Sequence, residues 1–298
     1  MSMIAEIKTR LFPKLNSRIT EFDIPVFPFG TEIPKVMHQT YFSPETPPRP
    51  VPPEIQENIA FLKSTNPGWE HRLYGREEMV QFISSSYGAE VLKYFNRIDP
   101  AYGAAQADLF RYLLIYKYGG VYLDVKSSIN IPFAHFLRND DVFLLSQWRN
   151  RESEEFDGWG LHYDLRHIEG GEFQQWHIVS VPGHPFLRRV ILAVLSNMDL
   201  YLPGLHGVGK MAVLRLTGPS AYTLAIAPML GLHKHRLITN EKPFPLRYSI
   251  YGYDAHMGVF KAHYSKLKNP VVKIDARRRL LSDAMYALNR IDATLKRK

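Results

Sequence analysis

"AYGAAQADLFRYLLIYKYGGVYLDVK", residues 101–126, decides how the chain folds. Leu109, Leu113 and Tyr116 recur at helical spacing with Phe110 and Leu114 beside them, and Gly119 is a natural stop. The "VYLD" that follows reads as a strand ending at Asp124. A carboxylate at a strand's carboxyl end, just past a glycine turn, stands where open α/β sheets bind ligands. Asp108 and Arg111, three apart, share one helix face, and Ala104 and Ala105 a turn earlier leave that face open to an approaching group. Taken singly, the pair reads equally as a salt bridge within the helix, contributing a few tenths of a kcal/mol, and Asp124 as a turn residue.

Outward from this stretch, helix and strand alternate, which points to an α/β layer architecture. Upstream, "KVMHQTYF" (35–42) reads as a strand and the prolines from Pro44 to Pro53 as a surface loop. A helix from about Glu54 to Ser64, a strand near Glu70 to Tyr74 and a helix opening near Arg76 come next. Downstream, "IVSVPGHPFLRRVILAVL" (178–195) reads as strand, turn and helix, and "TGPS" (217–220) as a helix start with Pro219 in its first position and a capping role for its neighbours.

Composition sets the bounds. The 298 residues are 45% hydrophobic and 22% charged, enough for one large core with an appendage. The most apolar run, Leu216 to Leu232, is broken by Gly218, Pro219 and Pro228, so no membrane span is expected. The N-terminal stretch lacks the apolar core and small-residue cleavage site of a secretory leader. The absence of cysteine excludes disulfides and thiol chemistry and fits a cytoplasmic location.

The net charge is +8, and the basic residues gather at the two ends. Ala284, Leu288, Ile291 and Leu295 form a helical stripe flanked by Arg277, Arg278, Arg279, Lys296, Arg297 and Lys298. Ile4, Ile7, Leu11 and Leu15 repeat the pattern beside Lys8, Arg10, Lys14 and Arg18. Such segments suit an anionic membrane surface, at about 1 kcal/mol per basic residue. They suit equally a terminal helix docked on the body. No nucleic-acid reader motif accompanies the charge, so nucleic acid is not an expected partner. The chain divides into a basic amphipathic appendage (1–34), a main domain (35–270) and a basic amphipathic helix (271–298).

"IPKVMHQTYF" (33–42), "ADLFRYLLIYKYGGVYLDV" (107–125), "VPGHPFLRRVI" (181–191), "TGPSAY" (217–222) and "AHYSK" (262–266) together resemble glycosyltransferases with a DXD-type sugar-binding region. Relatives include the fungal initiating mannosyltransferases, bacterial capsule and lipopolysaccharide sugar transferases and, more distantly, the large glucosylating toxins. The resemblance implies the A-type glycosyltransferase fold, a Rossmann-like mixed sheet flanked by helices. It also implies retaining transfer of a hexose from a nucleotide-diphospho-sugar, UDP- or GDP-linked, to a glycan or lipid-linked acceptor. A peripheral position on the inner face of the membrane accords with this; a catalytically impaired sugar-nucleotide binder or membrane-surface scaffold is the alternative.

By that resemblance Asp108 and Arg111 contact the donor sugar and Asp124 faces the ribose and metal region. His38, Gln39 and Thr40 lie by the nucleotide, and Gly119, Gly120 and Tyr122 belong with the donor site. The second DXD carboxylate is absent, because position 126 is Lys. If the strand continues, residues 124 and 126 point to one side, and the Lys126 ammonium replaces part of the Mn2+ or Mg2+ charge at the phosphates. Otherwise a cation is held by Asp124 with a downstream ligand such as His263. His263, Ser265 and Lys266 are further donor-phosphate candidates. The glycine-punctuated stretch from Gln147 to Trp176 holds three of the four tryptophans, so Trp148, Trp159 and Trp176 are candidates for stacking on an acceptor sugar.

Two rival motifs are weaker. "GLHGVGKM" (204–211) matches a phosphate loop, but Met211 replaces the Ser or Thr that holds magnesium and Pro203 breaks any feeding strand. "HKH" (233–235) and the pair His177 and His184 match no familiar zinc spacing.

Overall fold

The computed structural model describes residues 14–42, 50–251 and 267–295, with side chains to residue 288. The order begins with β1 (Val36–Thr40), α1 (Pro53–Thr65), β2 (Glu70–Tyr74), α2 (Arg76–Arg97, bent at Gly88), α3 (Gly103–Tyr118), β3 (Gly120–Leu123) and β4 (Ser128–Ile129). It continues with α4 (Phe133–Phe136), β5 (Phe143–Leu145), β6 (His177–Ser180), α5 (Pro185–Leu200), α6 (Pro203–His206), α7 (Gly209–Leu216) and α8 (Pro219–Ile226). Then come β7 (Arg236–Leu237), β8 (Leu246–Arg247) and α9 (Ala276–Leu295). None of the described helices is long and apolar enough to cross a membrane.

Six strands form one mixed sheet in the order β2-β1-β3-β6-β5-β7. β1 pairs parallel with β2 and β3, β5 pairs parallel with β7, and β6 runs antiparallel between β3 and β5. The carboxyl ends of β1, β2, β3, β5 and β7 therefore share one edge with the amino end of β6. Because β2 and β3 flank β1 on opposite sides, the strand order reverses at β1, and the ends of β1 and β3 form the switch point at which open α/β sheets bind ligands.

Side chains alternate across the sheet with the period of two that strands impose. Tyr122, Ile178, Phe143 and Leu145 enter the larger core under α2, α3, α5, α7 and α8, whereas Val121, Leu123, Val179 and Leu144 enter a smaller core with Phe133, Phe136, Trp148 and Trp176. Both faces are covered, which is why these strands read as unbroken apolar runs.

The double glycine is a packing requirement. Gly119 (φ 66°) and Gly120 (φ 91°) occupy the left-handed region. A Cβ on Gly120 would lie 2.6 Å from the Val36 carbonyl, and one on Gly119 would lie 2.6 Å from Pro182 Cδ. Both glycines stand at the amino end of β3, the opposite end from Asp124. This corrects the expectation that they touch the donor.

The terminal segments also differ from expectation. Leu15, Ile19, Phe22 and Phe27 pack on the larger core, and Asn16 bonds Asn197 on α5, so the described part of the N-terminal appendage lies against the body. Ile4, Ile7 and Leu11 fall outside the described residues. On α9 Ser282 and Met285 are buried against the body, whereas Ala284 of the expected stripe is exposed and Leu288 half-buried; the side chains of Ile291 and Leu295 lie outside the description. Gly204 on α6 donates its N–H to Ser282 Oγ at 2.8 Å, and a Cβ at Gly204 would lie 2.1 Å from the Ser282 carbonyl, so this approach needs glycine. The phosphate-loop candidate is two short helices, α6 and α7, with no strand leading into them.

Candidate active site

Arg111 joins α3 to the end of β3. Its Nη2 lies 3.3 Å from Asp108 Oδ1 and 3.0 Å from Asp124 Oδ1. Nη1 donates to the Gln175 carbonyl at 2.7 Å, Nε donates to the Ala107 carbonyl at 3.3 Å, and the guanidinium lies 4.6 Å from the Tyr122 ring centre. The fork is thus wholly engaged within the protein. Its side chain is 4% exposed, as is that of Asp108.

Asp108 is closed in equally. Thr217 Oγ1 donates to its Oδ2 at 2.8 Å and Gln175 Nε2 to its Oδ1 at 3.1 Å, while Tyr112 Oη donates to the Thr217 carbonyl at 2.8 Å. The small alanines do not leave this helix face open, because Gln175 and Thr217 cover it. Burial pushes the Asp108 carboxyl up, and Arg111, Thr217 and Gln175 pull it part of the way back. For Arg111 burial is the strongest influence and acts downward, but Asp124 and Asp108 with their neighbours outweigh it and hold the guanidinium above its usual value.

Asp124 alone of the three reaches solvent, its side chain 25% exposed. Its backbone N–H donates to the Trp176 carbonyl at 2.8 Å, and Tyr122 Oη donates to its Oδ1 at 3.4 Å. The strand does not continue beyond it. Ser127 N–H bonds the Asp124 carbonyl at 2.7 Å, closing a turn that takes Val125 and Lys126 out of the ladder. Strand alternation therefore does not set the direction of Lys126. Its Nζ donates to Tyr248 Oη at 2.9 Å and lies 4.3 Å from that ring's centre.

The β1 candidates separate. Thr40 Oγ1 meets Tyr122 Oη at 3.0 Å, and Gln39 Nε2 donates to the Asp124 carbonyl at 3.3 Å while its Oε1 meets His71 at 2.9 Å. His38 is fully buried and bonds Tyr74 Oη at 2.9 Å; burial, assisted by Arg72, lowers its imidazole to about 3, so it is neutral at ordinary pH. His263, Ser265 and Lys266 lie outside the described residues.

The tryptophans are less exposed than expected: Trp148 is 6% and Trp176 5% accessible, against 37% for Trp159. Trp148 and Trp176 nonetheless line a cavity of about 400 Å³ with Phe156, Tyr248, Gln147 and Gln174. Tyr248 belongs to both regions, since it holds Lys126 on one side and faces Trp148 (5.0 Å) and Trp176 (5.6 Å) on the other.

Among the described residues no three carboxylate or imidazole groups converge as a metal site. At Asp124 a guanidinium already holds one oxygen, and an ammonium occupies the position of the second acid. Among the described residues Asp124 has no second anionic ligand beside it, and His263, the other expected ligand, lies outside them. Gln175, Thr217 and Tyr248 were not singled out as ligand or carboxylate partners from sequence. "TGPS" marked only the place of Thr217, and its hydroxyl bonds Asp108 while Gly218 starts α8.

Residues 52–142 match the family described as "glycosyltransferase sugar-binding region containing DXD motif". An initiation-specific alpha-1,6-mannosyltransferase of Schizosaccharomyces pombe is 26% identical over 248 residues, 75% of this chain and 56% of that protein. Inositol phosphoceramide mannosyltransferase 3 of the same yeast is 35% identical over 187 residues, 63% of this chain and 43% of that protein. The chain spans about half the length of these curated relatives. The ligand-free glycosyltransferase domain of the YGT toxin superposes with a TM-score of 0.49 at 9% identity, covering 86% of this chain and 90% of that one. The Asp108–Arg111–Asp124 bridge and Lys126 all fall inside the segment that matches this sugar-binding region, and lysine stands there where the DXD motif carries its second acid.

Proposed function

We propose that the protein transfers a hexose, with mannose the first candidate, from a nucleotide-diphospho-sugar to a glycan or lipid-linked acceptor. One observation carries the reading: Arg111 ties a buried carboxylate to the half-buried Asp124 at the carboxyl end of β3, inside the matched segment. The relatives' names, both mannosyltransferases, favour the sugar.

In this mechanism Asp124 accepts a hydroxyl of the donor, and Arg111 is a positioning residue that fixes the carboxylate's direction before the ligand arrives. Asp108, Gln175 and Thr217 hold Arg111 in turn. Transfer breaks the bond from the anomeric carbon to the diphosphate oxygen and forms one to the acceptor oxygen, whose proton passes to the departing diphosphate. Same-face attack, with retention of configuration, is part of the proposal. The Lys126 ammonium supplies positive charge to that diphosphate, an electrostatic role that depends on its being fixed in advance by Tyr248. No step is routed through a metal ion.

The proposal includes a peripheral position on an anionic membrane surface, on its cytoplasmic side. Leu280 (72% exposed), Leu281 (38%) and Tyr286 (43%) on α9 sit beside exposed Arg277 and Arg279, which supports it. A thermal-shift panel of UDP- and GDP-sugars, with manganese and with chelator, tests the central reading. One sugar nucleotide should raise the melting temperature in both conditions; a flat response across the panel would defeat it.

A further inference from the structure

The cavity beside Tyr248 has the chemistry of a sugar site and lies at the functional edge of the sheet. Its walls come from the segments after β5 (Gln147, Trp148), before β6 (Gln174, Trp176) and around β8 (Leu246 to Ser249). The ends of β5 and β6 lie at the same edge as Asp124, and the Asp124 N–H bonds the Trp176 carbonyl at 2.8 Å, so the backbone that carries the carboxylate is tied to the backbone of a cavity-lining residue. A volume of about 400 Å³ suits a small ring and falls in the usual range for ligand sites.

Apolar ring faces alternate with groups that bond hydroxyls. Trp148, Phe156, Trp176 and Tyr248 provide the faces; Arg149, Glu155 and Arg247 join the lining, with the amides of Gln147, Asn130 and Gln174, which are held in place by bonds to Gly171, Leu246 and Ser146. A pyranose presents the same alternation, an apolar C–H face bordered by hydroxyls. One atom asks for a ligand of this kind. Trp176 Nε1 is buried and finds no hydrogen-bond acceptor among the described residues, whereas Trp148 Nε1 donates to Glu172 at 2.7 Å. A buried indole N–H without an acceptor costs about 1–3 kcal/mol, which a ligand oxygen able to reach it would relieve.

We propose that this cavity binds a pyranose ring of the acceptor, with Trp176 Nε1 donating to one of its hydroxyls and Tyr248 forming the wall shared with the donor's diphosphate. The inference rests on the transferase reading and assigns the half of the site that reading leaves open. Tyr248 then touches Lys126 on the donor side and the acceptor ring on the other, which sets the two substrates next to each other.

The four tryptophans make the test direct, because the full-length protein should give four indole N–H cross-peaks in a 1H–15N spectrum. Methyl α-D-mannopyranoside, methyl α-D-glucopyranoside and methyl α-D-galactopyranoside are titrated in turn at tens of millimolar. At least one should move the Trp176 peak most and the Trp148 peak less, and leave Trp69, which does not line the cavity, in place. Ser249→Trp, which fills the cavity, should abolish the saturable shift of Trp176. Movement of Trp69 alone, no saturable shift with any pyranoside, or a Trp176 shift that survives Ser249→Trp overturns the assignment. A Trp176 peak that responds to the sugar nucleotide and to no pyranoside overturns it too, giving the cavity to the donor. Because the thermal-shift panel reads donor binding on the unaltered protein, failure here with a positive panel rejects only the acceptor cavity, and a flat panel rejects the transferase reading itself.

Discussion

Arg111 on α3 and Asp124 at the end of β3 meet at 3.0 Å, so one guanidinium fixes the orientation of the carboxylate that reaches solvent. The contact is made in a nearly closed environment, with Arg111 side-chain exposure at 4%. Its geometry is therefore held by packing as well as by charge.

Arg111→Lys keeps the charge and loses the planar fork that spans two carboxylates and the Gln175 carbonyl. Donor turnover is expected to fall about 100-fold, the scale of a misplacement near 1 Å. Arg111→Met leaves two buried or half-buried acids facing each other and should cost about 3–5 kcal/mol in urea unfolding. Unchanged turnover in the lysine variant would show that the orientation of Asp124 is irrelevant.

Lys126→Asp restores the missing acid. The native protein should turn over its donor equally with chelator and with manganese, while the variant should be slow in chelator and recover at millimolar manganese. The measurement is release of nucleoside diphosphate. A native enzyme silenced by chelator and revived by manganese contradicts the ammonium's assigned role.

Gly120→Ala forces a side chain into a left-handed backbone position and against the Val36 carbonyl at 2.6 Å. The backbone conformation alone costs on the order of 1–3 kcal/mol, and the collision adds to it. A midpoint in urea within error of the native value would refute the packing explanation.

Burial lowers the imidazoles of His38 and His177 to about 3 and that of His184 to about 4. The unfolded chain protonates them near 6.5, so below that pH it binds more protons than the native state. This contribution is intact above 6.5 and is lost as pH falls toward 3. His177→Gln should flatten the loss of stability between pH 6.5 and 4 by up to about 1.4 kcal/mol per pH unit, read from urea titrations across that range.

β1, α1, β2, the start of α2, α3, β3, β6 and α5 were legible because their signals are local, whereas the short β4, α4 and β5 were not read. β2 falls on Glu70–Tyr74 as read, and α3 stops where Gly119 required. Depth was not legible. An Asp and Arg three apart look the same in sequence whether solvated or sealed, and the residues that seal them, Gln175 and Thr217, lie 67 and 109 positions from Asp108. The same holds for Trp148 and Trp176, candidates for stacking on an acceptor sugar, whose rings are packed in the smaller core. On α9 the residues that dock, Ser282 and Met285, were not legible because the contact is made by what α6 offers, a glycine close enough to bond Ser282. Lys126 was read as the departure, but its partner Tyr248, 122 positions away, has no local signature.

Because β6 runs against its neighbours, the excursion between β5 and β6 departs from and returns to a single rim of the sheet. Its last residues, Gln175 and Trp176, are tied to Arg111, Asp108 and Asp124, so only the stretch before them can change length without touching the site. Substrate preference on that side is thus free to drift by insertion and deletion, while the Arg111 clamp stays under the constraint of a packed interior.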